Sequence, residues 1–168
     1  MEKNKNLFVN KKGEWTADYI PAYVRRYPFI LATPDDKEPT FTVCIDESFP
    51  GFNTAKEGKP LFDEKGEQLD ILNQAVDFLK DYQTHVQLTT LFCENLSKLD
   101  ILEPMQANIE MASCTKHALG CFMGVNRVKL KALKPAKLAE MLKSDQLELI
   151  FAHLASLSNI KSLMNRLT

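Results

Sequence analysis

Residues 68–99 contain neither proline nor glycine, and their apolar side chains recur at helical spacing. The stripe consists of Leu69, Leu72, Ala75, Val76, Leu79, Val86, Phe92, Leu96 and Leu99. A stripe of this length is stable only against another apolar layer, so it predicts the main cover of a sheet. Two interpretations stay open: one long helix, or two helices with a break near residues 84–87.

Short β-rich segments lie on both sides of this helical stretch. Residues 29–32 and 40–45 flank a loop of prolines and acidic residues, a pattern typical of an antiparallel pair. Residues 107–111 and 119–125 predict two further strands, joined by the segment ASCTKHA, which would extend the sheet. The two glycines of the last strand indicate a bulge or a close approach of the backbone.

The segments LFVNKKGE (residues 7–14) and LFDEKGE (residues 61–67) share a Leu-Phe pair and a Lys-Gly-Glu run. The first predicts a hairpin from a strand at residues 7–9 to Trp15, with Gly13 at a positive φ. Because few residues match, we interpret the two segments as similar hairpin turns rather than as a repeat.

The end of the chain predicts helices. Pro135 suits the first turn of a short helix, and Asp145 with Glu148 fits a capping box before a helical stripe that reaches Met164. With the preceding elements this predicts an α+β fold, in which a long central helix and a C-terminal helix pack an antiparallel sheet of short strands. We expect a single domain over residues 1–168.

Residues 14–31 hold the only tryptophan, three of the four tyrosines and two of the eight prolines, so we expect the chain to pack around this segment. The tyrosines recur every four residues, which on a helical turn would stack three rings along one side. An arginine pair lies between the last two. These side chains are the candidate ligand-binding residues: Tyr19, Tyr23, Arg25, Arg26 and Tyr27.

The arginine pair has two interpretations. Its N–H donors can hold a carboxylate or a phosphate, which would suit a small anionic ligand. Alternatively, the guanidinium groups cap a buried acid and lie on aromatic faces, and we favour this structural interpretation. A guanidinium that lines a concave pocket would indicate binding, whereas a guanidinium paired with an acidic residue of the chain would indicate a structural role.

His153 lies three residues after Ile150 and four before Leu157, so its side chain points near an apolar stripe. We interpret it as a core histidine that is hydrogen-bonded to a backbone carbonyl or to Ser156. The alternative makes it a base in a cavity shared with Arg25, and His153 therefore joins the candidate ligand-binding residues.

No motif indicates catalysis or metal binding. The three histidines form no HxxxH, HxH or HExxH pair, and GxSxG, SxxK and GxGxxG are absent. We expect no catalytic residue, no metal and no cofactor, and we lean away from an enzyme. Without a CxxC pair, the cysteines predict reduced thiols in or near the core: Cys44, Cys93, Cys114 and Cys121.

Net charge and hydropathy argue against further classes of protein. A net charge of −1 argues against a general nucleic-acid surface or an anionic-membrane binder. The longest apolar runs fall short of the ~18 residues that a membrane span needs, and no apolar signal region follows MEKNKN. These features predict a cytoplasmic chain with no transmembrane segment.

The segments WTADYIPAYVRRYPFIL, LFDEKGE and LELIFAHLASLSNI resemble the SapC-like family of bacterial proteins, named for a member linked to a paracrystalline surface layer. The family has no settled reaction and no mapped active site, so the resemblance implies a link to the cell surface rather than a chemistry. Family members usually carry an additional segment before the position that matches residues 6–15. The resemblance therefore covers about the C-terminal two-thirds of the family pattern.

Two functions follow. The first is a non-catalytic interaction or structural protein linked to the bacterial cell surface, with a protein partner or a second copy of the chain. The second is a small-molecule-binding accessory protein or enzyme with an aromatic and arginine pocket. An enclosed pocket that converges on the candidate residues would favour the second function, and an exposed apolar patch over a packed interior would favour the first.

Self-association is a further expectation. Without the additional family segment, an edge strand or an apolar face near the N-terminus would be exposed, and chains resolve this by associating. We expect a dimer or a larger oligomer with the N-terminal β-rich segments at the contact. In the alternative, residues 46–60 close the sheet edge; this irregular stretch is otherwise interpreted as a solvated surface excursion.

Overall fold

The computed structural model describes residues 6–32, 41–55, 57–110 and 116–166, and it confirms the α+β class. Its elements are α1 (Ala22–Arg25), β1 (Phe29–Ala32), β2 (Thr42–Ile45), α2 (Asp70–Lys98), β3 (Leu102–Glu110), β4 (Lys116–Val125), α3 (Arg127–Lys131), α4 (Pro135–Lys143), α5 (Gln146–Ser156) and α6 (Asn159–Met164).

The chain divides into two compact units, one of Met1–Thr16 with Thr90–Thr168 and the other of Ala17–Thr89. The second unit holds α1, β1, β2 and the larger part of α2, and the first holds the remaining elements. The expected single domain over residues 1–168 stays a prediction.

The long apolar stripe forms one helix, α2, with no break at residues 84–87. Two threonine hydroxyls in this region, those of Thr84 and Thr89, donate to the carbonyls four residues before them at 3.0 and 2.7 Å. Such bonds leave the helical ladder intact. The helix ends where Asp100 adopts a positive φ of 53° and turns the chain toward β3.

The strands pair as two separate two-stranded antiparallel sheets rather than as one. In the first, β1 and β2 pair antiparallel, as predicted, and Leu31 lies opposite Val43. In the second, β3 pairs with β4 and both are longer than predicted, because β3 begins at Leu102 and β4 at Lys116. Pro104 lies inside β3, a position that an edge strand tolerates.

The predicted irregularity at the glycines of β4 is confirmed. The register shifts between Met105 and Ala107, opposite the part of β4 that contains Gly120. Gly124 is buried, and a Cβ at this position would lie 2.8 Å from Cγ of Met105 and closer still to its sulfur. Only glycine therefore lets the Met105 side chain cross the strand here.

The two Lys-Gly-Glu segments do form similar turns. In each, a side-chain oxygen accepts backbone N–H groups two and four residues ahead at 2.8 to 3.0 Å: Asn10 from Lys12 and Glu14, and Asp63 from Lys65 and Glu67. Isolated bridges close both turns, Val9 with Trp15 and Phe62 with Gln68. Gly13 has the expected positive φ, 82°. The predicted hairpin is present, although residues 7–9 form a bridge rather than a full strand.

The C-terminal region differs from its prediction in two respects. The expected single helix is interrupted at Leu157 and Ser158, giving α5 and α6. The capping box is wrong, because Asp145 adopts a left-handed φ of 57° and its side chain makes no cap hydrogen bond. Asp145 instead forms the tight corner between α4 and α5, a conformation that aspartate tolerates better than most residues. Pro135 does start α4, as predicted.

The core of the first unit gathers buried side chains from six places along the chain. They are Leu96, Ile101, Val125, Leu130, Met141 and Ile150. Asn126 fixes the corner after β4, because its side-chain oxygen caps α3 and its amide donates to Glu103 at 2.6 Å. In the Ala17–Thr89 unit, only three of the described residues are buried: Pro28, Leu72 and Leu79. Burial is therefore strongly uneven between the units.

Replacing Ile150 with alanine tests this core. Ile150 is fully buried, so the substitution should lower the free energy of unfolding by about 2 to 5 kcal/mol in urea titrations. Leu149, its half-exposed neighbour on α5, is the matched control, and Leu149→Ala should change stability by about 0.5 kcal/mol or less. Equal losses in the two variants would contradict the assigned core.

Candidate functional site

The aromatic segment 14–31 is divided between the two units, so it is not one packing centre. In the first unit, the Trp15 ring stacks on Phe8 with centroids 5.5 Å apart, across the N-terminal hairpin. The Arg166 guanidinium lies over the Phe8 ring, with Cζ 5.0 Å from the ring centroid. It also donates a hydrogen bond to the Thr16 hydroxyl at 3.0 Å. Arg166 therefore joins the two ends of the described chain within this unit, through its contacts with Phe8 and Thr16.

The three tyrosines do not line one side of a helix, because α1 contains only Tyr23. Tyr19 precedes this single turn and Tyr27 follows it. Tyr19 and Tyr23 are 67% and 64% exposed, and Tyr27 is about half exposed. The predicted stack is thus wrong, and two of its rings lie largely in solvent.

Each arginine of the pair lies on an aromatic ring. Cζ of Arg25 is 5.1 Å from the Phe78 centroid, and Cζ of Arg26 is 4.2 Å from Tyr23 and 5.2 Å from Tyr82. Phe78 and Tyr82 are four residues apart on α2, so the arginines attach α1 to one helical face. Neither guanidinium pairs with a carboxylate among the residues that the structure describes.

Tyr27 belongs to a hydrogen-bonded group beside the end of the β1–β2 sheet at which Phe29 pairs with Ile45. Its hydroxyl donates to Oδ2 of Asp46 at 2.9 Å, while the Ser48 hydroxyl and backbone N–H donate to Oδ1 at 2.6 and 3.0 Å. The Ser48 bonds, followed by that of Tyr27, hold the pKa of the Asp46 carboxyl below its ordinary value. The bond to Asp46 raises the pKa of the Tyr27 phenol.

The stretch after Asp46 is more than a solvated connector. Phe49 contacts Tyr27 and Phe52 edge to face, with centroids 5.4 Å apart in both cases, and Phe52 contacts Phe29 at 5.8 Å. Edge-to-face pairs of this kind add stability beyond the buried area. The part of residues 46–60 that contains Phe49 and Phe52 is therefore packed on the sheet end.

His153 belongs to the other unit, on α5. Its Nε2 accepts the backbone N–H of Val125 at 3.4 Å, and its carbonyl accepts the Ser156 hydroxyl at 2.7 Å. The partner is thus a backbone N–H rather than the expected carbonyl. The alternative role of His153 as a base together with Arg25 stays a prediction, as does the whole ligand-binding set.

A cleft of about 380 Å³ lies in the Ala17–Thr89 unit, between the β1–β2 sheet and the middle of α2. None of the six candidate residues lines it. Its walls are formed by Leu31, Phe41, Val43, Val76, Lys80, Gln83, Thr84 and Gln87. The sequence did contain a signal for it: the polar interruption of the apolar stripe at residues 84–87, where one of the two open interpretations placed a helix break. That interruption is instead part of the polar wall.

The described residues contain no group of three histidine, cysteine or acidic side chains that could hold a metal ion. Within the same ranges, no helix has both the length and the apolar character that crossing a membrane requires. Cys44 and Cys93 are free and exposed, so the expectation of core thiols is wrong for these two. Cys114 lies outside the described residues, and so does the side chain of Cys121.

The Asp46 group generates a pH prediction. A depressed carboxyl pKa stabilises the folded state above the unfolded value, near 3.8, and this contribution is lost as pH falls through the folded value. Asp46→Asn should therefore lose stability at neutral pH and show a shallower fall below about pH 4 in urea titrations. Glu47→Gln, the adjacent exposed acid, is the control and should keep the wild-type profile. If the stability of Asp46→Asn fell at acidic pH as steeply as that of the wild-type chain, this role of Asp46 would be contradicted.

The thiols give a second prediction. Cys44 and Cys93 should react with a thiol reagent in the folded protein because both are exposed. All four cysteines should react in denaturant without added reductant if the chain is kept reduced. Two or fewer reactive thiols in denaturant would contradict the reduced state, and Cys44→Ser should remove one rapidly reacting thiol.

Comparison with known proteins places the chain in a family. A family model described as SapC matches residues 1–163. No curated protein and no solved structure matches the chain significantly. The expectation that the chain represents the C-terminal two-thirds of the family pattern is not tested by this match and stays a prediction. Because the match extends from the N-terminal hairpin to the last helix, the chain belongs to the SapC family.

Proposed function

We propose that the chain is a non-catalytic interaction or structural domain linked to the bacterial cell surface. The observation that carries this proposal is the exposed aromatic and aliphatic surface around α1, in a unit with few buried side chains. The link to the cell surface comes from the family resemblance, whose named member is associated with a surface layer.

The exposed surface around α1 consists of neighbouring side chains in the sequence. Tyr19, Ile20, Tyr23, Val24 and Tyr27 are each at least 38% exposed. Exposed apolar residues scattered singly are ordinary, but several that lie close together along the chain favour an interaction surface. Tyrosine suits such a surface because its ring is large, rigid and partly polar.

The β1–β2 sheet provides a second reason for association. A two-stranded sheet leaves each strand as an edge, and such a ribbon gains stability when a further layer or strand covers it. Ile30 and Ile45 are exposed on its strands, at 39% and 43%. A second copy of the chain is the partner that these features favour, and the family association with an ordered surface array agrees with repeated self-contact.

The alternative function, a small-molecule-binding accessory protein or enzyme with an aromatic and arginine pocket, has less support. It requires a pocket that converges on Tyr19, Tyr23, Arg25, Arg26 and Tyr27. The arginines lie on aromatic rings instead, and the cleft in the same unit is lined by other side chains. We therefore retain the interaction domain as the proposed function.

Self-association is tested by light scattering across a dilution series. The wild-type chain should give a mass of about twice 19.1 kDa or more at micromolar concentration. The double variant Tyr19→Ser, Tyr23→Ser should be monomeric and should keep its unfolding free energy within about 1 kcal/mol, because both rings are exposed. Val128→Ser, an exposed site in the other unit, is the matched control and should still associate.

Two outcomes would contradict this proposal. A wild-type monomer at micromolar concentration would exclude the self-contact. A double variant that unfolds early would show that the tyrosines stabilise the fold rather than a contact.

A further inference from the structure

We infer that the cleft between α2 and the β1–β2 sheet binds a small amphiphilic carboxylate, such as a medium-chain fatty acid. This site shares no residue with the surface around α1, so the inference stands independently of the proposed function.

The two walls of the cleft differ in chemistry. Leu31 and Val43 are cross-strand partners, so they present a continuous apolar wall, which Phe41 extends. On the opposite wall, Lys80, Gln83 and Gln87 lie on one face of α2. An apolar ligand alone would leave the polar wall without partners, and a wholly polar ligand would leave the apolar wall exposed to water.

The polar wall offers hydrogen-bonding groups that the described residues do not use. Gln83 is half-buried, and neither its amide nor that of Gln87 is hydrogen-bonded to another described residue. The Thr84 hydroxyl donates to the carbonyl of Lys80, which leaves its oxygen as an acceptor. The two amides can therefore donate to a carboxylate that lies against the helix.

Lys80 supplies the charge that selects a carboxylate. Its ammonium lies 3.4 Å from Asp77, but both side chains are mostly exposed, at 69% and 75%. An ion pair this exposed contributes little to stability, so the Lys80 ammonium can leave Asp77 for a ligand at small cost. The volume of about 380 Å³ is near the lower end for ligand pockets, which favours a single short alkyl chain.

The probe is decanoate, with decanol and decylammonium as uncharged and cationic analogues of the same chain length. Titrations followed by methyl NMR should shift the resonances of Leu31, Val43 and Val76. Decanoate should bind more tightly than decanol by about twofold to fivefold, the effect of one exposed charge pair. Decylammonium should bind least well.

Three substitutions test the two walls of the cleft, and a fourth serves as the control. Lys80→Gln should make decanoate and decanol bind equally, whereas Lys98→Gln, a similarly exposed and ion-paired lysine on the same helix, should leave the difference intact. Gln83→Phe, which fills the cleft from a helical position, should weaken all three probes by about tenfold or more. Val43→Trp fills it from the sheet side and should do the same.

Circular dichroism and urea titration establish that each variant is folded before its binding is interpreted. If the cleft methyl resonances do not shift with decanoate, the inference is wrong. It is equally wrong if decanoate binds Lys80→Gln and Gln83→Phe with wild-type affinity.

Discussion

Both compact units of the chain include part of one element, the unbroken α2 helix. It supplies Leu72 and Leu79 to the few buried positions of one unit and Leu96 to the core of the other. A single helix must therefore suit two different environments along its length. It does so by carrying apolar side chains toward both ends and polar ones in the middle, where Gln83 and Gln87 form one wall of the cleft.

The two units are stabilised by different interactions. One contains a contiguous core of aliphatic side chains, in which Ile101, Met141 and Ile150 are fully buried. The other relies on aromatic edge contacts, two arginines lying on rings, and the hydrogen bonds of Asp46. Half-exposed rings gain only part of the hydrophobic stabilisation of a buried side chain, so this unit retains surface that a partner can cover.

Sequence reasoning was most accurate where structure depends on neighbours along the chain. The span of α2, the start of α4 at Pro135 and the paired Lys-Gly-Glu turns all follow from local rules of periodicity, proline geometry and side-chain hydrogen bonding. It was less accurate where a choice depends on distant partners. The capping box at Asp145 had suitable residue types, yet the corner between α4 and α5 requires a left-handed conformation there.

Sequence periodicity was enough to predict the α+β class, the two ends of the long helical stretch and the pairing of β1 with β2, because helical and strand periods depend on neighbouring residues. Three features emerged only in the folded chain: the strands form two sheets, the arginine pair lies on Phe78, Tyr23 and Tyr82, and a cleft opens beside α2. The physical reason is that periodicity defines which side chains share a face but not what that face meets. Val43 and Gln83 line one cleft although they are far apart along the chain, and no local pattern records that they face each other.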